Sequence, residues 1–138
     1  MKKIAVIYWS GTGNTKLMAE AVAQGAGSDA KLLSVESATK DDVLNADAIA
    51  LGCPSMGAEV LEETFMEPFI ESIADCVSGK PVALFGSYDW GDGQWMRDWV
   101  ERMQSYGANV IGEGVIIRLT PDDEGLDICK ALGEDLAK

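Results

Sequence analysis

Apolar runs and segments with helical spacing alternate along the whole chain. Most of the runs are apolar at consecutive positions rather than at every second one, which is typical of strands that are covered on both faces in a parallel sheet. The predicted strands are residues 3–8, 31–35, 48–52, 82–86 and 115–119, and residues 109–111 are a candidate lead-in to the last of them. We therefore expect a buried parallel sheet at the centre of the fold.

Helical spacing fills the segments between these strands. The predicted helices are residues 14–26, 41–45, 61–77, 93–106 and 122–137. Pro68 falls inside the third, and because proline disrupts a helix interior, we expect the helix to begin there after a turn or short helix. Trp95 and Trp99 share one face of the fourth, which predicts packing onto the sheet. The alternation indicates an α/β fold, a three-layer sandwich with right-handed crossovers formed by residues 1–138 as one domain.

The expected position of a ligand site follows from this architecture. In open parallel sheets, ligands bind at the carboxyl ends of the strands, beside the switch in strand order. We therefore expect the turns that follow the first, third and fourth strands to lie together and to form the site.

The turn after the first strand is rich in glycine and in neutral hydrogen-bond donors. It consists of Ser10, Gly11, Thr12, Gly13, Asn14 and Thr15. A glycine turn that leads into a helix N-terminus brings backbone N–H groups and partial positive charge to one point. Such a cradle suits one phosphate group.

The turn has three other possible interpretations. A Walker A loop requires a lysine directly after its second glycine, and the chain has neither that lysine nor the spacing. A dinucleotide fingerprint requires a third glycine where Lys16 stands, although Glu36 could serve as the ribose-binding acid. Serine, threonine and asparagine also favour helix caps that bind no ligand. The dinucleotide site and the plain cap stay open on these residues alone.

The turns after the third and fourth strands add a thioether and an aromatic ring. Met56 lies on a loop, outside the periodic apolar positions that predict core residues. Trp90 lies among small and acidic residues. Structural anchoring of each loop is the alternative. The candidate site residues are Pro54, Ser55, Met56, Gly57, Ala58 and Glu59 in the second turn and Ser87, Tyr88, Asp89, Trp90 and Gly91 in the third. With the phosphate cradle, they indicate a mononucleotide with a large planar ring.

Composition excludes several function classes. The chain has 11 basic and 23 acidic residues and a net charge of −12, which argues against nucleic acid and anionic membranes and favours basic protein partners. Acidity that only serves solubility is the alternative. The absence of histidine removes the commonest general base and metal ligand, so we expect no catalytic residue and no metal site. No apolar run is long enough to span a bilayer.

The three cysteines indicate a reducing compartment. Cys53, Cys76 and Cys129 are odd in number and widely spaced, so neither a disulfide framework nor a metal-ligand set is expected. We interpret them as buried thiols of a cytoplasmic protein.

Together, these motifs resemble those of the flavodoxins, specifically the short-chain clostridial type. The matching segments are residues 8–15, Met56-Gly57 followed by Glu59, and residues 84–88 and 90–93, and the resemblance covers essentially the whole chain. It implies a five-stranded sheet in the order 2-1-3-4-5, one non-covalently bound FMN and one-electron transfer at low potential. Such a protein would be a monomer that cycles chiefly between semiquinone and hydroquinone, with reductases and low-potential oxidoreductases as partners that dock through basic surfaces.

The resemblance also implies a role for each turn. Residues 10–15 would hold the FMN phosphate, Met56 would cover one face of the isoalloxazine ring, and Trp90 would stack on the other. Glu59 would accept a hydrogen bond from flavin N3–H, and the peptide after Gly57 would turn its carbonyl toward N5–H in the semiquinone. Two departures from the family are Ala58, where Asp or Ser occurs, and Asp89, where glycine is common. The acids expected to lower the second potential and to guide docking are Glu59, Glu62, Glu63, Asp89 and Asp92.

Two other function classes remain to be separated from an electron carrier. An FMN enzyme of the same fold would need proton-transfer residues, and the missing histidines argue against it. A receiver-like interaction module without a cofactor would not need Met56 and Trp90 beside one site.

Overall fold

Strands and helices alternate along residues 2–138, which are the residues described by the computed structural model. The strands and helices are β1 Ile4–Tyr8, α1 Asn14–Ala26, β2 Lys31–Ser34, α2 Lys40–Leu44, β3 Ala48–Gly52, α3 Met66–Ser72, β4 Pro81–Tyr88, α4 Gln94–Ser105, β5 Asn109–Val110, β6 Val115–Arg118 and α5 Asp123–Ala137. No helix within this range is both long and apolar enough to cross a membrane.

The strands form one sheet in the order β2-β1-β3-β4, and β5 and β6 both pair with β4. All of these ladders are parallel. The predicted order 2-1-3-4-5 is confirmed, with the fifth position shared by two short strands. Between them, Gly112 and Gly114 have φ values of 70° and 87°, which lets the chain leave the sheet and return.

The continuous apolar runs are explained by burial on both faces of the sheet. Along β1, Ile4 and Val6 belong to one core cluster, while Ala5 and Ile7 belong to the other. Helices α1 and α5 cover the first face, and α2, α3 and α4 cover the second. On α4, Trp95 and Trp99 are only 2% and 1% exposed, which confirms that they pack onto the sheet.

Helices α1 and α5 approach each other so closely that their backbones are in contact. A Cβ atom on Gly133 would lie 2.1 Å from the carbonyl oxygen of Val22, and one on Gly25 would lie 2.0 Å from that of Lys130. Glycine is required at both positions because there is no room for a methyl group between the helices. This contact holds the C-terminal half of α1 against α5.

Three local predictions were wrong. Helix α3 begins at Met66 rather than Pro68 and ends at Ser72, because proline is tolerated in a first turn, where the backbone N–H has no helical partner. Strand β4 continues through Tyr88 because β6 extends its ladder. Cys76 is only partly buried, whereas Cys53 and Cys129 are buried as expected.

Candidate functional site

A cavity of about 320 Å³ opens where β1, β3, β4 and β6 end. It brings together residues from all three predicted turns and from the end of β6. Its walls are formed by Trp9, Gly11, Thr12, Asn14, Pro54, Ser55, Met56, Ser87, Tyr88, Asp89 and Leu119. The carboxyl edge of the sheet is thus the place where the predicted turns meet.

The first turn is organised by the Ser10 hydroxyl. Ser10 Oγ accepts hydrogen bonds from the N–H groups of Gly13 and Lys16, at 3.1 and 3.2 Å. Gly13 has φ 98° at the start of α1, a conformation that favours glycine. Within the described residues, no hydrogen bond engages the backbone N–H groups of Gly11 and Thr12. This geometry leaves those two amides beside the helix N-terminus as donors for an anion.

Side-chain hydrogen bonds tie the first turn to β4 and to the chain that follows β6. The hydroxyl groups of Thr15 and Ser87 are 2.8 Å apart, and both residues are buried. The Thr120 hydroxyl donates to Asn14 Oδ1 at 3.1 Å. Thr15 therefore lies behind Ser87 rather than on the cavity wall, and α1 is linked to the chain that leaves β6.

The second turn is a tight loop closed by backbone hydrogen bonds. The N–H and C=O groups of Met56 and Val60 bond to each other in both directions at 2.9 Å. Between them, Gly57 and Glu59 have φ values of 47° and 57°. Glu59 Oε1 also accepts weak hydrogen bonds from the N–H groups of Asp92 and Gly93, at 3.2 and 3.3 Å. The Glu59 carboxylate thereby joins the second turn to the third.

The third turn carries an exposed aromatic side chain. Trp90 is 54% exposed and does not form part of the cavity wall, whereas Tyr88 does. The ring of Tyr88 packs against Trp95 with its centroid 5.7 Å away, and Trp95 Nε1 donates to the Cys53 carbonyl oxygen at 3.2 Å. Tyr88 is thus held by the core, while Trp90 is available to a ligand or a partner.

The donors of this cavity fit a phosphate-bearing ligand. Ser55 Oγ is a buried atom on a wall-forming residue, and it has no hydrogen-bond partner within residues 2–138. Unbonded buried polar atoms are costly, so a ligand acceptor would satisfy this one. None of the described wall residues is basic. The cavity would therefore hold an anion through hydroxyl and amide donors together with the helix N-terminus.

Glu62 is a structural residue, although its sequence position suggested a docking acid. It is only 6% exposed, and its carboxylate accepts hydrogen bonds from the N–H groups of Thr64, Phe65 and Met66 at 2.7–3.0 Å. Burial alone raises the pKa of Glu62, but these hydrogen bonds outweigh that effect and lower it. The prediction that Glu62 lies on the docking surface was wrong, because the start of α3 needs an acceptor.

Several predicted residues lie beside the cavity rather than on its wall. They are Ser10, Gly13, Thr15, Gly57, Ala58, Glu59, Trp90 and Gly91. Sequence reasoning missed Trp9 and Leu119, which do form the wall. Trp9 could have been found because it directly precedes the glycine turn. Leu119 gave no such signal, because it looks like the last apolar residue of a strand.

A larger cavity of about 470 Å³ lies near the amino end of β1, with Lys2, Lys3 and Lys31 among its lining residues. Its polar groups are partly engaged with one another, since Lys31 pairs with Asp42 at 2.9 Å. Ligands of parallel sheets bind at the opposite, carboxyl edge. We therefore take the smaller cavity as the functional site.

Comparisons with known proteins point to one family. The family model described as Flavodoxin matches residues 6–133. The chain is 50% identical over 135 residues to a flavodoxin of Clostridium beijerinckii, covering 96% of this chain and 97% of that protein. It is 46% identical over 138 residues to a flavodoxin of Megasphaera elsdenii, covering 98% of each. The solution structure of two-electron reduced Megasphaera elsdenii flavodoxin matches with a TM-score of 0.87 at 44% identity, covering 97% of this chain and 98% of that one.

These matches decide between the interpretations that the first turn left open. They extend over nearly the whole chain and are with proteins named flavodoxins, so a dinucleotide site, a ligand-free helix cap and a receiver-like module are set aside. The same matches favour an electron-transfer protein over an enzyme. The chain belongs to the flavodoxin family, whose members carry electrons on a bound FMN.

Proposed function

We propose that this FMN-binding electron carrier works at low potential, one electron at a time, chiefly between the semiquinone and hydroquinone states of its cofactor. The observation that supports this most strongly is the cavity itself, in which a phosphate-type turn faces Met56 and Tyr88 across the carboxyl edge of the sheet. Bound FMN supplies the redox chemistry, and the protein sets which of its redox states are stable.

The first turn would hold the phosphate. Gly11 and Thr12 offer free backbone N–H groups, and the hydroxyl groups of Thr12 and Ser55 add donors from the cavity wall. Ser10 accepts from two amides, so its own proton remains available to donate. Thr15 would act by fixing Ser87 and by its backbone, because its hydroxyl is already paired. The cofactor-contact residues proposed in this turn remain Ser10, Gly11, Thr12, Gly13, Asn14 and Thr15.

The second and third turns would enclose the ring. Met56, on the cavity wall, would cover one face, and the exposed Trp90 of the third turn would stack on the other. Glu59 has a second carboxylate oxygen that is not engaged by Asp92 or Gly93, and that oxygen would accept from flavin N3–H. The neighbouring contacts proposed in these turns are Pro54, Ser55, Gly57, Ala58, Ser87, Tyr88, Asp89 and Gly91.

The protein would separate the two electron-transfer steps by a backbone change and by charge. The peptide after Gly57 would direct its carbonyl toward N5 once N5 carries a proton, and glycine lowers the cost of that rearrangement. A net charge of −12 opposes the negative charge that the second electron would place on the ring. Each 1.4 kcal/mol of such repulsion lowers a one-electron potential by about 59 mV.

The charge also suggests the kind of partner. We propose that the protein is a cytoplasmic monomer, formed by residues 1–138 as one domain, that docks to basic surfaces of redox proteins. The exposed Glu63, Asp89 and Asp92 beside the site would guide that encounter. Three free cysteines support the reducing compartment.

Reconstitution with FMN tests the proposal. Purified apoprotein should quench FMN fluorescence with a 1:1 end point and should give a flavoprotein visible spectrum. Trp90→Ala should keep the fold, weaken FMN binding by about 1–2 kcal/mol and restore part of the flavin fluorescence, because a stacking partner is lost. Circular dichroism of the apoprotein controls for folding. Unchanged affinity and quenching in Trp90→Ala would place the ring away from this side chain.

A further inference from the structure

Leu119 is unusual among the residues of the cavity wall because its backbone is left-handed. Its φ is 60°, and Glu59 is the other non-glycine residue with positive φ within residues 2–138. A left-handed backbone is unfavourable for a bulky apolar residue and persists where the surrounding structure imposes it. The neighbours of Leu119 therefore impose this conformation.

Two hydrogen bonds hold Leu119 in this conformation, one on each side. The N–H of Leu119 donates to the carbonyl oxygen of Tyr88 at 2.7 Å. The hydroxyl of the next residue, Thr120, donates to Asn14 Oδ1 at 3.1 Å. The first bond anchors Leu119 to β4, and the second anchors the following residue to the start of α1. The chain must turn sharply between these anchors, and the left-handed residue makes that turn.

The outcome of this turn is an apolar side chain on the wall of a polar cavity. Leu119 is 51% exposed and shares the wall with Gly11, Asn14 and Tyr88. The strained backbone does not place the Leu119 side chain in the core, since Leu119 belongs to neither core cluster. A ligand in the cavity would remove apolar surface from water and so offset the strain.

We propose that Leu119 is a cofactor-contact residue, so that the chain leaving β6 forms a fourth wall of the FMN site. This inference rests on the proposed function of the cavity. A leucine side chain has no donor for a phosphate, so it contacts the ring or the carbon chain of the nucleotide. It should therefore contribute equally to the binding of FMN and of riboflavin, which lacks the phosphate.

Flavin titrations of apoprotein variants test this contact. In Leu119→Ala the dissociation constants for FMN and riboflavin should both rise about five- to tenfold, the effect of losing contact with roughly half a leucine side chain. Thr12→Ala should raise the constant for FMN far more than the one for riboflavin. Leu44→Ala is the matched control, because Leu44 is similarly exposed, at 54%, but lies outside the cavity wall. It should change neither constant.

Leu119→Gly separates contact from conformation. Glycine accepts a φ of 60°, so the urea midpoint of this apoprotein should be at least that of Leu119→Ala, while both variants bind flavin equally weakly. Wild-type affinity for both flavins in the two variants would overturn the inference, as would a loss confined to FMN. A wild-type protein that binds neither flavin would instead contradict the proposed function.

Discussion

The glycines of the α1–α5 contact and those of the carboxyl-edge turns meet opposite needs. A Cβ atom on Gly25 or Gly133 would lie 2.0 or 2.1 Å from a carbonyl oxygen of the facing helix. Gly13 and Gly57 have φ values of 98° and 47°, and no atom lies within 4 Å of their Cβ positions. Space is the limit at Gly25 and Gly133, and backbone conformation is the limit at Gly13 and Gly57.

This difference separates what holds the fold from what serves the cofactor. Between α1 and α5, atoms are close-packed and the backbone is regular. At the carboxyl edge, free amides, an unbonded serine hydroxyl, an exposed tryptophan and two left-handed side-chain-bearing residues occur together. Strain and unpaired polar groups of this kind are typical of binding sites. Substitutions in the first region should therefore lower stability, and those in the second should alter FMN binding or potential.

The largest expected effect is on stability, at the helix contact. Gly133→Ala should lower the free energy of unfolding by about 3 kcal/mol, because the added methyl group forces the two backbones apart. Urea denaturation of the apoprotein measures this loss. Gly125→Ala on the same helix is the control, since its new methyl would meet the Ile117 side chain at 3.0 Å and the Asp122 side chain at 3.3 Å. Equal losses in both variants would show that close backbone contact is not the cause.

Glu62 lies next to the second turn, but its role is to stabilise the start of α3. Glu62→Gln should cost about 2 kcal/mol, since a neutral amide accepts more weakly from the three N–H groups at the start of α3. FMN affinity should stay unchanged. A large loss of FMN affinity in the folded variant would show that Glu62 contributes to the cofactor site.

The same residue predicts a pH dependence. Because the pKa of Glu62 is lowered in the folded protein, the stability it contributes is present above its ordinary value of 4.5 and is lost as the pH falls below it. Urea midpoints measured from pH 6 to pH 3 should therefore fall less steeply in Glu62→Gln than in the wild type. If the urea midpoints of the two proteins fell equally with pH, the Glu62 carboxylate would not be the source of this stability.

In the second region, Thr12→Ala should weaken FMN binding by about 1–3 kcal/mol through loss of a donor to a charged group. Its stability should remain that of the wild type, because Thr12 is exposed. Calorimetric titration with FMN and riboflavin measures the difference. Equal wild-type affinities for the two ligands would defeat the phosphate-cradle account.

The smallest effect, about 1–2 kcal/mol, is expected at Gly57. A β-branched residue opposes a φ of 47°, so Gly57→Thr should retain FMN yet lower the first-electron potential by roughly 40–90 mV. Gly57→Asn is the control, because asparagine tolerates this conformation better. Spectroelectrochemical titration records the potentials. Undiminished semiquinone in Gly57→Thr would rule out the peptide rearrangement.

Much of this division could be predicted from the sequence, because apolar runs and glycine turns report local constraints directly. The parallel sheet and the meeting of three turns followed from them, and the order of the strands followed from the resemblance to the flavodoxins. Other features depend on distant partners. The length of β4 is set by β6, the start of α3 by the Glu62 carboxylate, and the strain at Leu119 by Tyr88 and Asn14. The sequence next to these residues does not indicate such partners.

Redox titration of the wild-type protein reconstituted with FMN tests the central claim most directly. Potentiometry at pH 7, followed by visible spectra, should resolve two one-electron steps, with the neutral semiquinone as the main species between them and the second potential well below that of free FMN. A single two-electron step near the potential of free FMN would contradict the account.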